Sequence, residues 1–71
     1  MSESVYKVIE LVGTSSESWE KAAAAAVQTA GKSLRDLRVA EVTQFDIHVD
    51  GKKLLYRAKV NVSFKYHPGQ D

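Results

Sequence analysis

An unbroken alternation of apolar and polar side chains runs through thirteen residues, 54–66, near the carboxyl end of the chain. Its even positions are apolar or aromatic, and its odd positions after Leu55 are polar or charged. A period of two is typical of a β-strand with one buried face. At roughly 3.3 Å per residue the strand is about 43 Å long, which exceeds the width of a small domain's core. The pattern therefore predicts a strand that reaches beyond its own subunit, with any function on its polar face in an assembly of chains.

The size of the chain favours stabilisation by partners. A domain of 71 residues buries only about 60% of the surface that its unfolded chain exposes. The sequence has no cysteine for a disulfide, and its two histidines, His48 and His67, do not share a metal-ligand spacing. Oligomerisation is therefore the expected source of further stability. We predict a single domain over residues 1–71, with polar tails at 1–4 and 67–71.

Charge and hydropathy argue against two classes of partner. Ten basic and nine acidic residues give a net charge of +1, which is not the footprint of a nucleic-acid-binding protein. The longest apolar run is far shorter than the ~20 residues that span a bilayer, and no signal-peptide pattern precedes the first predicted strand. We expect a cytoplasmic protein that binds neither nucleic acid nor membrane.

The first third of the chain predicts a strand and the start of a helix. Residues 5–12 are rich in β-branched side chains, which favours a strand with apolar groups on both faces. The Gly-Thr-Ser-Ser that follows is expected to end this strand. Thr14 with Glu17 has the capping-box spacing, and Ser15 and Ser16 are alternative N-caps.

An apolar stripe at helical spacing predicts a helix over about 16–31. Trp19 is its large anchor, and alanines make the rest of the stripe small enough for close packing on a sheet or on another subunit. We expect the Trp19 ring to lie in the core rather than to serve as a stacking platform. The members of the stripe are Trp19, Ala22, Ala23, Ala26, Val27, Ala30 and Leu34.

The second half of the chain predicts a β-hairpin. Residues 38–49 read as the second strand, in which the apolar side chains change from even to odd positions. Such a change of face indicates a β-bulge, which we place near Thr43 and Gln44. Asp50-Gly51 predicts a hairpin turn of the primed type, and the alternating stretch follows as the third strand.

Together these elements predict an α+β domain with the order β-α-β-β. One helix packs on a three-stranded antiparallel sheet. We expect the sheet order 1-3-2, because a central third strand makes all neighbours antiparallel and allows a right-handed crossover. The other sheet face carries both polar and apolar side chains, so we expect it to be either solvated or a wet interface between subunits.

Four segments of the sequence carry a family pattern. They are VYKVIELVGTS at 5–15, the Ser18-Trp19 helix entry, AEV at 40–42 and VNVSF at 60–64. In order and spacing they resemble the dodecins, small β-α-β-β proteins. The resemblance covers most of the chain and implies a hollow homododecamer, in which long bent sheets of twelve identical chains wrap the helices.

The resemblance also implies a ligand site between subunits. Dodecins typically bind flavins such as riboflavin or FMN in pairs; the ring stacks on a Trp of the second strand and meets a Gln of the third. The matching positions here are Val39 and Arg57, with Glu41 and Tyr56 as neighbours. Stacking on a ring is worth on the order of 1–3 kcal/mol, and an arginine offers no acceptor to the flavin N3–H. We therefore expect weakened flavin affinity.

Three functions stay open. The first is a shell that stores or buffers a small ligand, a flavin by resemblance, with Arg57 suited to an anionic or phosphate-bearing one. The second is a calcium-binding shell, because Trp-lacking relatives are associated with calcium and hard cations take oxygen ligands. The third is a structural oligomer without a ligand. No EF-hand loop is present, so the metal ligands stay unassigned; the carboxylates available for a site assembled across subunits are Glu10, Glu41, Asp46 and Asp50.

Catalysis is the least expected function. The sequence shows no nucleophile–base pair, metal triad or phosphate-binding loop. Asp46 and His48 share one strand face at spacing i, i+2, and we interpret them as exposed residues near a hairpin end rather than as a general acid–base pair. We predict a binding protein that is not an enzyme.

Overall fold

The computed structural model describes residues 3–66 as one helix packed on a three-stranded antiparallel sheet. The sheet order is β1-β3-β2, which confirms the predicted topology. The parts of the predicted tails at 1–2 and 67–71 lie outside the described residues. Within 3–66, no helix has the length and apolar character needed to cross a membrane. The elements are β1 Tyr6–Ser15, α1 Trp19–Ser33, β2 Leu37–Asp50 and β3 Lys53–Lys65.

Gly13 lies inside β1, and the prediction that the strand ends there is wrong. The residue pairs with Ala58 of β3. A Cβ atom at this position would lie 1.9 Å from the carbonyl oxygen of Ala22 and 3.0 Å from the Cβ of Ala26. The glycine is therefore required because the helix backbone approaches the strand closely at this point, and it does not interrupt the strand.

The N-cap of α1 is Ser18, not any of the predicted residues Thr14, Ser15 and Ser16. The hydroxyl of Ser18 accepts a hydrogen bond from the backbone N–H of Lys21 at 3.1 Å. Thr14 and Ser15 still belong to β1, where they pair with β3. Because strand pairing continues this far, the helix begins three residues later than predicted.

The core lies between α1 and the facing side of the sheet. The even positions of β3 that lie under the helix are buried, as the alternation predicts, and three alanines of α1 cover them. Their small side chains let the helix lie close to the sheet. The odd positions of β3 lie on the opposite side, which we call the open face. The buried apolar residues are Ala22, Ala26, Ala30, Ala58, Val60, Val62 and Phe64.

The bulge in β2 is present where the sequence predicts it. Val42 lies opposite Val60, whereas Gln44 lies opposite Lys59, so Thr43 is an extra residue in the ladder. The extra residue turns the rest of the strand over by one position. As a result, the apolar side chains on both sides of the bulge lie on the helix side of the sheet although they change from even to odd numbers: Ala40, Val42, Phe45, Ile47 and Val49.

The hairpin turn is displaced by one residue from its predicted position. Asp50 pairs with Lys53, so Gly51 and Lys52 form the two-residue loop. Gly51 has a φ of 61°, the sign that the first loop position of a type II′ turn requires. The turn is therefore of the primed kind, but its central pair is Gly51-Lys52 rather than Asp50-Gly51.

The far part of the hairpin, residues 45–54, extends past the helix, and we call it the hairpin arm. The 15 residues of α1 are about 22 Å long, whereas the molecule is 54 Å long and only 20 Å by 15 Å in its other dimensions. The strand thus reaches beyond the core of its own subunit, as predicted. The large apolar side chains that this leaves exposed on the helix side are Phe45, Ile47, Val49 and Leu54.

Trp19 lies at the base of the hairpin arm and is half-buried, whereas the sequence predicted a core position. Its ring centroid is 5.7 Å from that of Phe45 and 5.2 Å from that of Tyr56, with the Tyr56 ring edge-on. The indole Nε1–H donates a hydrogen bond to the backbone carbonyl of Asp46 at 3.1 Å. Trp19 therefore fastens the start of the helix to the sheet at the point where the arm begins.

Candidate functional site

The two main predicted site residues lie far apart in one subunit. Val39 is 60% exposed and lies opposite Ser63 near the start of β2. Arg57 lies opposite Asp46, six positions away from Ser63 along β3. At roughly 3.3 Å per residue the separation is about 20 Å, which is longer than a flavin ring system. A site that contains both positions must therefore combine residues from more than one chain.

The two neighbouring positions lie on opposite sides of the sheet. Glu41 is exposed on the open face, opposite Asn61 of β3. Tyr56 is half-buried on the helix side, with its ring against Trp19. Because successive side chains of a strand alternate between faces, Tyr56 and Arg57 do not share a surface in this subunit.

Arg57 is engaged by an acid of its own chain. Its Nε and Nη2 atoms donate to the two carboxylate oxygens of Asp46, each at 2.7 Å. This fork-to-fork pair is the strongest geometry for an arginine and a carboxylate. The hydrogen bonds from Arg57 lower the pKa of Asp46, and the same contact raises the pKa of Arg57. Both side chains are charged at neutral pH, and one edge of the guanidinium is occupied.

The open face carries two further carboxylates near its centre. Glu10 of β1 and Glu41 of β2 lie on either side of Asn61 of β3. Glu10 lies 3.9 Å from the Nζ of Lys59, and Glu41 makes no ion pair with any residue of 3–66. Within the described residues, no three His, Cys, Asp or Glu side chains are close enough to hold a metal ion. A cation site on this face therefore needs carboxylates from several subunits.

The Asp46–His48 pair does not form an acid–base arrangement. Both residues lie on the open face, since they are two apart on β2, and His48 is exposed opposite Leu55. The carboxylate of Asp46 is hydrogen-bonded to Arg57, and the imidazole of His48 has no hydrogen-bond partner among residues 3–66. His48 is thus exposed near the hairpin end, as predicted, whereas Asp46 is half-buried and bound to Arg57.

These features define a class of protein before any comparison is made. A thin helix covers half of a long, bulged sheet, and the other half together with the whole open face is uncovered. Such a subunit has the form of small α+β proteins with one helix on a three-stranded antiparallel sheet, whose other sheet face is left open. The Dodecin family model matches residues 5–67, and the chain belongs to the dodecin family.

The similar proteins include dodecins from several bacteria. The calcium dodecin of Mycobacterium tuberculosis is 56% identical over 68 residues, which cover 94% of this chain and 96% of that protein. Its crystal structure, described as that of a calcium-chelating antigen, has a TM-score of 0.86 at 55% identity and covers 96% of this chain and 99% of that one. The Streptomyces coelicolor dodecin has a TM-score of 0.89 at 30% identity, with 97% and 100% covered.

A variant of the Thermus thermophilus dodecin is a further structural relative. It has a TM-score of 0.84 at 36% identity and covers 92% of this chain and 98% of that one. The agreement across these structures extends over nearly the whole chain, so they share its overall fold of one helix on a three-stranded sheet.

Proposed function

We propose that this chain forms a hollow homododecamer in the cytoplasm and binds calcium between its subunits, without catalysing a reaction. The observation that carries the proposal is the 56% identity with a calcium dodecin over nearly the full length of both proteins. The names of the similar proteins describe ligand binding or a family, and none of them describes a reaction.

The exposed apolar surface supports the assembly. Val49 and Phe45 on the hairpin arm are 65% and 55% exposed, and Val8 and Val12 on the open face are 58% and 53% exposed. Burying apolar surface stabilises an assembly by about 25 cal/mol per Å². Since uncovered apolar side chains lie on both sides of the sheet, one partner is not enough, and a closed shell of copies covers both.

The acids of the open face support a hard cation. Calcium takes six to eight oxygen ligands, mostly from carboxylates and carbonyls. The carboxylate of Glu41 is exposed and unpaired within residues 3–66, and Glu10 has only a long contact of 3.9 Å with Lys59. Because one subunit supplies too few ligands, the site forms where copies of this face meet.

Flavin binding is the second candidate, and its support is the family resemblance. Val39 provides no ring for stacking, and the guanidinium edge of Arg57 is already occupied by Asp46. The loss of a stacking contact alone removes on the order of 1–3 kcal/mol, which is about one to two orders of magnitude in affinity. We therefore expect riboflavin and FMN to bind weakly.

Calorimetric titration tests the calcium proposal. The EDTA-treated protein is titrated with CaCl₂ and, separately, with MgCl₂, and its melting temperature is measured with and without each ion. We expect saturable calcium binding and a rise of several degrees in melting temperature, because a ligand of the folded state stabilises it. Glu41→Gln should weaken binding at least tenfold, and Glu20→Gln, on the first turn of α1, is the matched control. The absence of heat and of any shift with calcium would refute the proposal.

A flavin titration tests the second candidate separately. Weak or absent quenching of riboflavin fluorescence is expected for the native chain. The double variant Val39→Trp, Arg57→Gln should restore quenching, because it supplies both the stacking ring and a side chain with donor and acceptor. Strong quenching of riboflavin fluorescence by the native chain would disprove the expected weak flavin binding.

A further inference from the structure

Asp46 lies among three basic side chains on the open face. Arg57 is directly opposite on β3, Lys59 is the next residue of β3 on the same face, and His48 is the next residue of β2 on that face. The charges of all three side chains act on the Asp46 carboxylate. Without Asp46, this corner of the face would present two permanent positive charges and an imidazole, with Glu10 as the neighbouring acid.

Asp46 contacts Arg57 in the same geometry as a bound anion would. Two parallel N–H···O bonds of 2.7 Å are the way in which an arginine grips a phosphate or a carboxylate. In the single subunit the side chains are 42% and 44% exposed, so an external anion has access to this edge of the guanidinium once the Asp46 carboxylate is absent. The carboxylate of Asp46 fills the position that such an anion would take.

The fold holds Asp46 in this position through its backbone. The carbonyl of Asp46 accepts the hydrogen bond from the indole of Trp19, which ties the residue to the start of α1. The extra residue Thr43 sets the register that places Asp46 opposite Arg57. A surface ion pair usually contributes little to the free energy of unfolding because two flexible side chains must be ordered. Here the pleated sheet positions both residues directly opposite each other.

We propose that the carboxylate of Asp46 occupies a phosphate-binding site formed by Arg57, Lys59 and His48. By blocking this site, Asp46 makes the open face reject phosphate-bearing ligands. The inference concerns anions and goes beyond the calcium proposal. It assigns Asp46 a role in specificity: the native chain excludes phosphate, and loss of one carboxylate charge opens the site.

Phosphate titration of the assembled protein tests the inference. Inorganic phosphate is titrated calorimetrically, in a phosphate-free buffer of low ionic strength at pH 7, into the native protein, Asp46→Asn and the double variant Asp46→Asn, Arg57→Gln. Asparagine keeps the size of the side chain and the backbone carbonyl that Trp19 contacts. We expect Asp46→Asn to bind phosphate at least tenfold more tightly than the native protein, and the double variant to lose that gain. A folded Asp46→Asn protein with no gain would overturn the inference.

A second comparison can overturn the inference even if Asp46→Asn does not fold. Arg57→Gln is titrated with phosphate beside the native protein. The inference requires equal, weak binding, because Asp46 already occupies Arg57 in the native chain. If the native protein binds phosphate at least tenfold more tightly than Arg57→Gln, the arginine is available to anions and the inference is wrong. Calcium titration of a separate, phosphate-free portion of the same native preparation tests the proposed function independently.

Discussion

The two ends of β3 carry the same alternating pattern but have different surroundings. Under the helix, Val60 and Val62 are fully buried against α1. In the hairpin arm, Leu54 lies on the same side of the same strand and is 47% exposed. The difference arises from length, since a helix of 15 residues rises only 1.5 Å per residue and a strand rises more than twice that.

The comparison shows that one sequence pattern encodes two kinds of burial. Alternation states that one face of a strand is apolar, but it does not state whether the same chain or another copy covers that face. In this protein the helix-covered half is buried within the subunit, whereas the hairpin arm leaves apolar surface exposed that the proposed assembly would cover. The two regions should therefore respond differently to substitution.

The largest effect is expected for Gly13→Ala in the helix-covered half. The added Cβ would lie 1.9 Å from the backbone oxygen of Ala22, so the helix must move away from the sheet. We expect a loss of about 3 kcal/mol or more in the free energy of unfolding, measured by urea denaturation. Gly31→Ala is the matched control, because nothing lies within 4 Å of its Cβ; it should stabilise the helix by about 0.5–1 kcal/mol. Equal stabilities of the two variants would contradict the close approach.

In the hairpin arm, Val49→Asp should separate assembly from folding. The residue is 65% exposed in the subunit, but in the proposed assembly a charge there would have to be desolvated among apolar side chains. We expect the subunit dissociation constant to rise at least 100-fold in sedimentation experiments, with the far-ultraviolet circular dichroism retained. Val49→Ile, which stays apolar, should assemble normally. An intact shell of Val49→Asp at micromolar concentration would remove the distinction between the two regions.

A smaller loss is expected for Val60→Ala, which tests the helix-covered half without a steric clash. The side chain is fully buried, and removing two methyl groups from a core costs the transfer free energy plus that of the cavity. We expect about 2–3 kcal/mol in chemical denaturation. Val5→Ala serves for comparison, because Val5 precedes β1 and is 66% exposed, and it should cost less than about 0.5 kcal/mol.

The smallest effect concerns the Asp46–Arg57 pair at the start of the arm. Arg57 holds the pKa of Asp46 below its ordinary value, chiefly through the hydrogen bonds. Stabilisation from a lowered acid pKa is complete above the unfolded value of about 4 and is lost as the pH falls through the folded value. The melting temperature of the native protein should therefore exceed that of Arg57→Gln slightly at pH 6, and the difference should shrink as the pH is lowered from 4 toward the folded pKa of Asp46 and below it. A difference that does not depend on pH would exclude the ion pair as its cause.

Most of the fold follows from the sequence because its signals are local and periodic. The buried even positions of β3 follow from period-two alternation, and the bulge near Thr43 follows from the change of apolar parity along β2. The sheet order follows from the antiparallel hairpin and the handedness of the crossover. Each of these inferences needs only residues close together in the chain or a general rule of topology.

The features that sequence reasoning missed depend on contacts between distant segments. Gly13 resembles a strand terminator until the position of Ala22 is known, and the cap moves to Ser18 because pairing with β3 lengthens β1. The Arg57–Asp46 pair depends on register: if Thr43 were paired with Lys59 in a ladder without the bulge, Asp46 would lie opposite Tyr56. The change of the apolar side chains from even to odd positions in β2 indicates the bulge. Extending the shifted register beyond the bulge places Asp46 opposite Arg57, so the pair could have been predicted from this signal.

Trp19 is the only tryptophan of the chain, and it lies where the helix-covered half of the subunit meets the hairpin arm. Its ring touches Phe45, and its N–H is tied to the backbone at Asp46. Indole fluorescence depends on the polarity and rigidity of its surroundings. The chain therefore carries an intrinsic fluorescence probe at the boundary between the helix-covered half and the hairpin arm. The proposed assembly of subunits and changes at the neighbouring ion pair can therefore be followed through one native fluorophore, without a dye or a tag.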